Sequence, residues 1–419
     1  MGGRRDHRRL RADRGDPHVR NTHIRSTVGE RHIVTVPSGL TDGPIYLDYN
    51  ATTPIDPAVT EAILPYLTGG FGNPSSDHHY GTAPRAALEH ARGQVSALIG
   101  AAAGRIVFTG SGSEADNLAI RGAVLAAGAD RPHVITQQTE HPAVLATYQA
   151  LRRWHEVDVT YLPVDGAGVV DPAELAAAFT EHTVLVSIMA ANNETGALQP
   201  IAELARVTHE HGAVFHCDAA QAVGKIPLDV SALDVDLLTV VGHKMYAPKG
   251  IAALYIRSGV PLEPLIYGGG QEHGLRAGTE NVAFAVALGT AAQLAADDLA
   301  AGGRHRIQQL RDRLHDLLVR SLPERVLLNG PMSARLPNTL NISIRGITGH
   351  SLLAATPDIA ASTGSACHSG DHQPSPVLTA MGLDADRGLA ALRLSLGRWS
   401  TRDDVDRAAE LITASARRP

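Results

Sequence analysis

From Ile45 onward, apolar runs of four to eight residues alternate with Ala-rich amphipathic stretches, the arrangement of an α/β fold built on a largely parallel sheet. Runs at 106–109, 133–136, 157–164, 183–189, 213–217, 237–241 and 252–256 predict seven strands. Between them, helices are expected to begin near Ser113, Pro142, Pro172 and Pro200, with proline where a first helical turn tolerates it. After Glu280 long helices are expected up to about Ser321. A smaller α+β piece follows, with strands at 338–344 and 391–395 and a final helix from about Arg402. No repeat and no low-complexity linker interrupts the pattern, so the change of lobe is expected inside the helix after Glu280. The resulting division is a basic, disordered extension at 1–43, a large domain at 44–290 whose first residues can join the smaller one, and a small C-terminal domain at 291–419.

Composition narrows the class. With 419 residues, 44% of them hydrophobic and 19% charged, the chain can bury a large core, which excludes disordered and fibrous classes for most of its length. Apolar runs such as Val184 to Ala191 stop well short of the roughly 18 residues a spanning helix needs, so a soluble protein without membrane partners is expected. The first 32 residues carry nine arginines against four acidic side chains, a local balance of +5 that leaves −11 for the rest. Arg4 and Arg5 are not followed by the apolar stretch of an export signal, and the segment reads as an extension rather than a nucleic-acid-binding element. Only three of the 37 basic residues are lysines, Lys225, Lys244 and Lys249. Arginine stays protonated, whereas a buried lysine can lose its proton and attack a carbonyl, so these three are candidates for chemistry. The two cysteines, Cys217 and Cys367, are too few for a disulfide framework and point to a reducing compartment, here the cytoplasm.

Lys244 stands where the apolar run 237–241 empties into Gly242-His243-Lys244, and carboxyl ends of strands are where open α/β sheets place their ligands. Lys249, between Pro248 and Gly250, reads as a turn residue and Lys225 as a loop residue. A second apolar run ends in Asp218, a carboxylate costly to bury unless a cation answers it or it caps a helix. The pyridinium nitrogen of pyridoxal phosphate is such a cation. Gln221, three residues on, is within reach of the phenolic oxygen of the same ring. A third run ends in Thr109-Gly-Ser-Gly-Ser113 before a helix, a turn suited to a compact phosphate. It matches neither the Walker spacing nor the dinucleotide fingerprint. The 21 histidines are scattered, and His78-His79 beside Asp77 reads as a loop cluster, so no metal site is expected.

From Ile45 to the C-terminus the chain resembles the class V aminotransferase family of pyridoxal-phosphate enzymes, and within it the cysteine desulfurases and selenocysteine lyases. The resemblance rests on Tyr46-Leu-Asp-Tyr-Asn-Ala-Thr-Thr-Pro54, Gly72-Asn-Pro-Ser-Ser76, Thr139-Glu-His-Pro142, Ala191-Asn-Asn-Glu-Thr-Gly196, Gly268-Gly-Gly-Gln-Glu272, Arg276-Ala-Gly-Thr-Glu-Asn281 and Ser362-Thr-Gly-Ser-Ala-Cys367. It implies the fold type I of pyridoxal-phosphate transferases, with a mainly parallel seven-stranded sheet and a smaller α+β domain. It further implies that Lys244 holds the cofactor covalently, Asp218 pairs with its ring nitrogen and Gln221 with its phenolic oxygen. His141 would stack on the ring and move protons. Ser113, His243 and the amide of Gly112 would hold the phosphate, and Thr279 would reach the phosphate of a neighbouring subunit, making a homodimer the expected unit. Asn193 and Arg393 would bind the substrate carboxylate, the latter by its two-pronged fork.

Local roles compete with these. His141 can cap the helix that starts at Pro142, Asn193 can shape the turn before Gly196, and Arg393, inside an apolar run, can answer an internal acid instead of a ligand. Cys367 decides the reaction, since the cofactor alone permits transamination, racemisation, decarboxylation or elimination. Its run of small residues, 362–370, reads as a mobile loop able to carry a thiol between cofactor and acceptor, with His368 available to lower its pKa. Cys217, in an apolar run, reads as a core thiol. The expected function is conversion of L-cysteine to L-alanine with a persulfide on Cys367, passed to an acceptor such as an iron–sulfur scaffold or a thiol carrier. Release of selenium from L-selenocysteine, and amino transfer without sulfur chemistry, are the alternatives. Two departures bear on this: Val241 stands where many desulfurases have a phosphate-binding Ser, and the stretch 366–377 is more similar to the selenocysteine lyases.

Overall fold

A computed structural model describes residues 35–364 and 373–418. Cys367 and His368, and the basic residues up to 34, lie outside the described residues. After β1 (Ile45–Tyr46) come α1 (Pro57–Thr68), whose Asp56 cap accepts the amide of Ala58, and α2 (His79–Leu98). The large sheet is then built from β2 (Arg105–Thr109), β3 (His133–Gln137), β4 (Asp158–Leu162), β5 (Thr183–Ser187), β6 (Val214–Asp218), β7 (Leu237–Val241) and β8 (Ala252–Ile256). Helices α3 (Gly112–Ala127), α4 (Pro142–His155), α5 (Pro172–Ala178) and α6 (Ile201–Glu210) connect them. Pro142 and Pro172 stand in the first turn of their helices, while Pro200 is the cap before α6 rather than a helical residue.

The sheet order is β2-β8-β7-β6-β5-β3-β4. All pairings are parallel except those of β8, which is antiparallel to both β2 and β7. Both faces are covered, because alternate side chains of each strand enter different cores. Ile106, Phe108, Leu238 and Val240 join α2, α6 and α7 (Val282–Ala300) on one side, whereas Val107, Leu237 and Leu254 join α3 and α4 on the other. Since only β8 is reversed, the carboxyl ends of β2, β3, β5, β6 and β7 open on the same edge.

Helix α7 is long and apolar enough to cross a membrane by length and composition, but Ala283, Ala285, Ala287, Leu288, Ala291, Ala292 and Ala295 are buried in the core it shares with α2. Alanine and glycine along this face let the helices approach closely; a Cβ on Gly289 would lie 2.6 Å from Ala91 Cα. The next helix, α8 (Gly303–Ser321), belongs to a second core. The change of core therefore falls at the Ala301–Gly302 turn, not inside the helix at 290 as the sequence suggested. The second core gathers β9 (Val326–Leu328), β10 (Thr339–Ile344), α9 (Gly349–Ala354), β11 (Ile359–Ala360), β12 (Ala391–Ser395) and α12 (Arg402–Arg417), with α10 (Pro376–Ala380) and α11 (Ala385–Leu389) before β12. Its three-stranded sheet runs β12-β10-β9, and β1 pairs in parallel with β11, so Ile45 and Leu47 are packed in the second core.

Candidate active site

The carboxyl ends of the large sheet border a pocket of about 550 Å³. It is lined by Gly112 and Ser113 after β2, His141 after β3, Asn193 after β5, Asp218 and Gln221 at β6, and His243 and Lys244 after β7, with Arg393 of β12 closing one side. Nine of the sequence-predicted site residues thus come together. Thr279 does not: it is exposed, on a segment apart from this lining. Cys367 lies outside the described residues, but Ser362 and Gly364, which lead to it, line the pocket. Backbone hydrogen bonds tie Ser362 to Arg393, Arg393 N donating to Ser362 O at 2.7 Å.

The phosphate-sized cradle begins at the start of α3. Ser111 caps the helix, its hydroxyl accepting from Glu114 N at 3.1 Å, so the hydroxyl of Ser113 is left for a ligand. Glu114 braces the turn by accepting from Gly110 N at 2.8 Å and from Arg276 Nε at 2.9 Å. Only glycine fits at 112, since a Cβ there would come within 2.6 Å of Val241 Cγ2. The valine therefore packs under the cradle and offers no donor. His243, across the pocket, holds Thr52 Oγ1 at 3.2 Å through Nδ1, and burial with the charges of Lys244 and Lys249 pushes its pKa down to about 4. Its ring is neutral at physiological pH and still able to donate one N–H.

Lys244 Nζ donates to the carbonyls of Asn50 and Ala51, each at 2.8 Å. Burial, then the nearby Arg393 guanidinium, lowers its pKa to about 8 against the pull of Asp218 and Asp48. A free amine is therefore within reach near neutral pH, the state that attacks an aldehyde. Asp218 Oδ1 accepts from Ala220 N at 2.9 Å, while Oδ2 has no hydrogen-bond donor among the described residues. Burial pushes this carboxyl up, outweighing the Ala220 amide and the charges of His141 and Lys244, so a further cation beside it is what would hold it ionised. His141 is both a pocket residue and the cap of α4: Nδ1 accepts from Ala143 N at 3.1 Å, which places the proton of the neutral ring on Nε2. Burial, the leading cause, lowers its pKa.

Arg393 meets an internal acid, one of the alternatives left open by the sequence. Its Nη2 lies 2.7 Å from Asp48 Oδ1 and its Nη1 donates to Asn193 O at 3.2 Å, while its buried Nε has no hydrogen-bond partner among the described residues. Its guanidinium is thus held in place at the pocket wall with donor capacity remaining. Asn193 reaches this cluster through its carbonyl, which Asn50 Nδ2 also contacts at 3.1 Å. The side-chain amide of Asn193 has no hydrogen-bond partner among the described residues, so the turn before Gly196 is shaped instead by Asn192 Oδ1, which accepts from the amides of Glu194 and Thr195.

Asn50 and Asp116 were not singled out by the sequence, and Lys225 and Lys249 read from it only as loop and turn residues. Asn50 and Asp116 line the pocket, as does exposed Lys249, which is more than a turn residue. Asn50 stood inside a quoted motif without a role; its polar type within 45–54 was the available signal. Cys217 is fully buried and burial raises its thiol pKa well above the ordinary value, in keeping with a core residue. The motif ending in Glu272 proves structural: this buried acid pairs with Arg92 at 2.8 Å and accepts from Phe108 N at 2.9 Å, sealing the edge strand β2.

A lysine of lowered pKa at a strand end, a buried carboxylate wanting a cation and a glycine-lined helix start for a phosphate are together the requirements of pyridoxal phosphate. Fold and pocket therefore define a pyridoxal-phosphate enzyme on a large α/β sheet. The chain belongs to the class-V aminotransferase family, whose model matches residues 45–408 and whose members use this cofactor. It is 49% identical over 370 residues to a cysteine desulfurase of Trichormus azollae, covering 88% of this chain and 92% of that one. A cysteine desulfurase IscS of Anaeromyxobacter dehalogenans is 46% identical, with 90% and 93% covered. Among solved structures, a NifS-like protein superposes with a TM-score of 0.82 at 35% identity, covering 88% of this chain and 98% of that chain.

Proposed function

We propose that this chain is a pyridoxal-phosphate-dependent cysteine desulfurase that moves the sulfur of L-cysteine to Cys367 and releases L-alanine. The observation that carries the reading is the single pocket that gathers Lys244, Asp218, His141, Asn193 and Arg393 around the start of α3, with the approach to Cys367 on its wall. A solved structure of SspA in complex with cysteine, 34% identical with a TM-score of 0.74, supports L-cysteine as the substrate.

When bound, pyridoxal phosphate supplies an aldehyde that takes amines covalently and a ring that accepts the electron pair released at the substrate α-carbon. Lys244 would hold it through Nζ, an amine whose pKa lowered to about 8 lets it take up and give back a proton near neutral pH. Asp218 keeps the ring nitrogen protonated, Gln221 donates to the phenolic oxygen, and Ser113, His243 and the amide of Gly112 hold the phosphate, without the hydroxyl that Val241 lacks. His141 carries a proton on Nε2, positioned by the cap bond to its other nitrogen. Arg393 and Asn193 fix the substrate carboxylate. The Cys367 thiolate forms a bond to the substrate sulfur as the Cβ–S bond breaks; that electron pair stays with the β-carbon, which takes a proton. The balance is L-cysteine and enzyme thiol to L-alanine and enzyme persulfide. A homodimer lends Thr279 to the neighbouring phosphate, and an iron–sulfur scaffold or thiol carrier in the cytoplasm receives the sulfur.

Alanine release from L-cysteine and from L-selenocysteine by one preparation tests this. Turnover of L-cysteine that is lost in Cys367→Ser supports the reading. A negligible rate with L-cysteine beside L-selenocysteine, or full L-cysteine turnover by the serine variant, overturns it.

A further inference from the structure

Lys225 is partly buried beside the pocket and has no part in the chemistry above. Its Nζ donates to Gln221 Oε1 at 2.6 Å and to Asn50 Oδ1 at 3.3 Å. Asn50 Oδ1 also receives Asn338 Nδ2 at 2.9 Å, and Gln221 Nε2 donates to the Asn50 carbonyl at 3.0 Å. A backbone carbonyl only accepts, so the nitrogen end of the Gln221 amide faces Asn50 and the oxygen end faces Lys225. Lys225 has hydrogens to donate whether or not it is charged, and it occupies that oxygen. One N–H of Gln221 remains for a ligand. Without Lys225 only the Asn50 carbonyl holds the amide in this sense, its oxygen loses its donor, and the turned-over amide, which presents an acceptor where an anionic phenolic oxygen needs a donor, becomes accessible.

Burial, followed by the charges of Lys244 and Arg393, depresses the Lys225 amine well below the usual lysine value. Such a cost at a loop position is hard to account for unless the hydrogen bonds it makes are required. We propose that Lys225 is a positioning residue: by holding Gln221 Oε1 it keeps the amide turned so that N–H, not oxygen, is offered to the phenolic oxygen of bound pyridoxal phosphate. The proposal rests on the pyridoxal-phosphate reading of the pocket.

The test uses the cofactor-loaded full-length enzyme without substrate and follows its visible absorption band against pH. A donor at the phenolic oxygen favours its ionised form, so losing that donor raises the midpoint of the band's titration. The charged and titratable groups facing the pocket, Lys244, Asp218, His141, Arg393, Asp116, His243 and Lys249, with Asp48 paired to Arg393, are unchanged by the substitutions. Lys225→Met is expected to raise the midpoint by about half a unit or more, and Lys225→Gln, which still donates to an amide oxygen, to keep it within about 0.2. In a Gln221→Leu background, Lys225→Met is expected to add no further shift. Lys225→Ala gives the same reading should the methionine variant fail to fold. An unmoved midpoint in Lys225→Met, an equal shift in Lys225→Gln, or a shift that persists in the Gln221→Leu background overturns the proposal. Absence of any visible band from the loaded parent enzyme overturns the cofactor reading, and the proposal with it.

Discussion

Glu140, next to the pocket residue His141, is a buried carboxylate with one oxygen well served and the other not. Its Oε1 accepts from Gln137 Nε2 at 2.8 Å and from Met189 N at 2.7 Å, while Oε2 has no partner among the described residues. Burial pushes its pKa from 4.5 up to about 8. The folded value exceeds the unfolded one, so the folded state binds the proton more tightly and stability falls as pH rises from about 4.5 toward about 8. Glu140→Gln removes this loss while keeping the accepting oxygen. Unfolding by denaturant should show the variant more stable than the parent by about 1 kcal/mol or more at pH 7.5, the gain vanishing as pH approaches the unfolded carboxyl value. At this scale, what was legible in sequence followed from scarcity and position: one lysine of three and one aspartate stand at the ends of apolar runs. Asn50 and Lys225 were not legible, because their contact joins positions 175 residues apart and depends on how two loops meet.

The central strands of the large sheet were the most readable, because β7 and β8 are buried on both faces and therefore almost continuously apolar. The two-residue strands β1 and β11 and the three-residue β9 carry no such run. Helices α1 and α2 escaped notice for another reason: Pro65 lies inside α1, and Gly81, Pro84 and Gly93 lie inside α2, each a breaker in local propensity that tertiary packing overrides. That packing is close where α2 crosses α7 at Gly289, whose added Cβ would lie 2.6 Å from Ala91 Cα. Gly289→Val should force the two helices apart and lower stability by about 1–3 kcal/mol, read from the midpoint of urea unfolding at unchanged slope. An unchanged midpoint would show that the crossing tolerates a side chain.

Across the whole molecule, the pocket belongs to neither core alone. The large sheet supplies Lys244, Asp218 and His141, whereas Arg393 comes from the small sheet and Asp48, its partner, from the segment that joins the second core. The ion pair between Arg393 and Asp48 at 2.7 Å thus fixes a small-sheet side chain at the mouth of the large sheet. The sequence indicated both pieces, their contribution to one site and the joining of the first residues of the large domain to the smaller one, which residues 45–48 do, but not the handover at Ala301–Gly302, since it depends on contacts distant in sequence. The proposed function requires that sulfur leave the substrate by way of Cys367. The most direct measurement is mass spectrometry of the peptide holding Cys367 after one turnover with L-cysteine in the absence of an acceptor. This peptide is expected to gain one sulfur atom, with one alanine released per sulfur; alanine released without added sulfur, or sulfur found instead on the peptide of Cys217, would rule out that route.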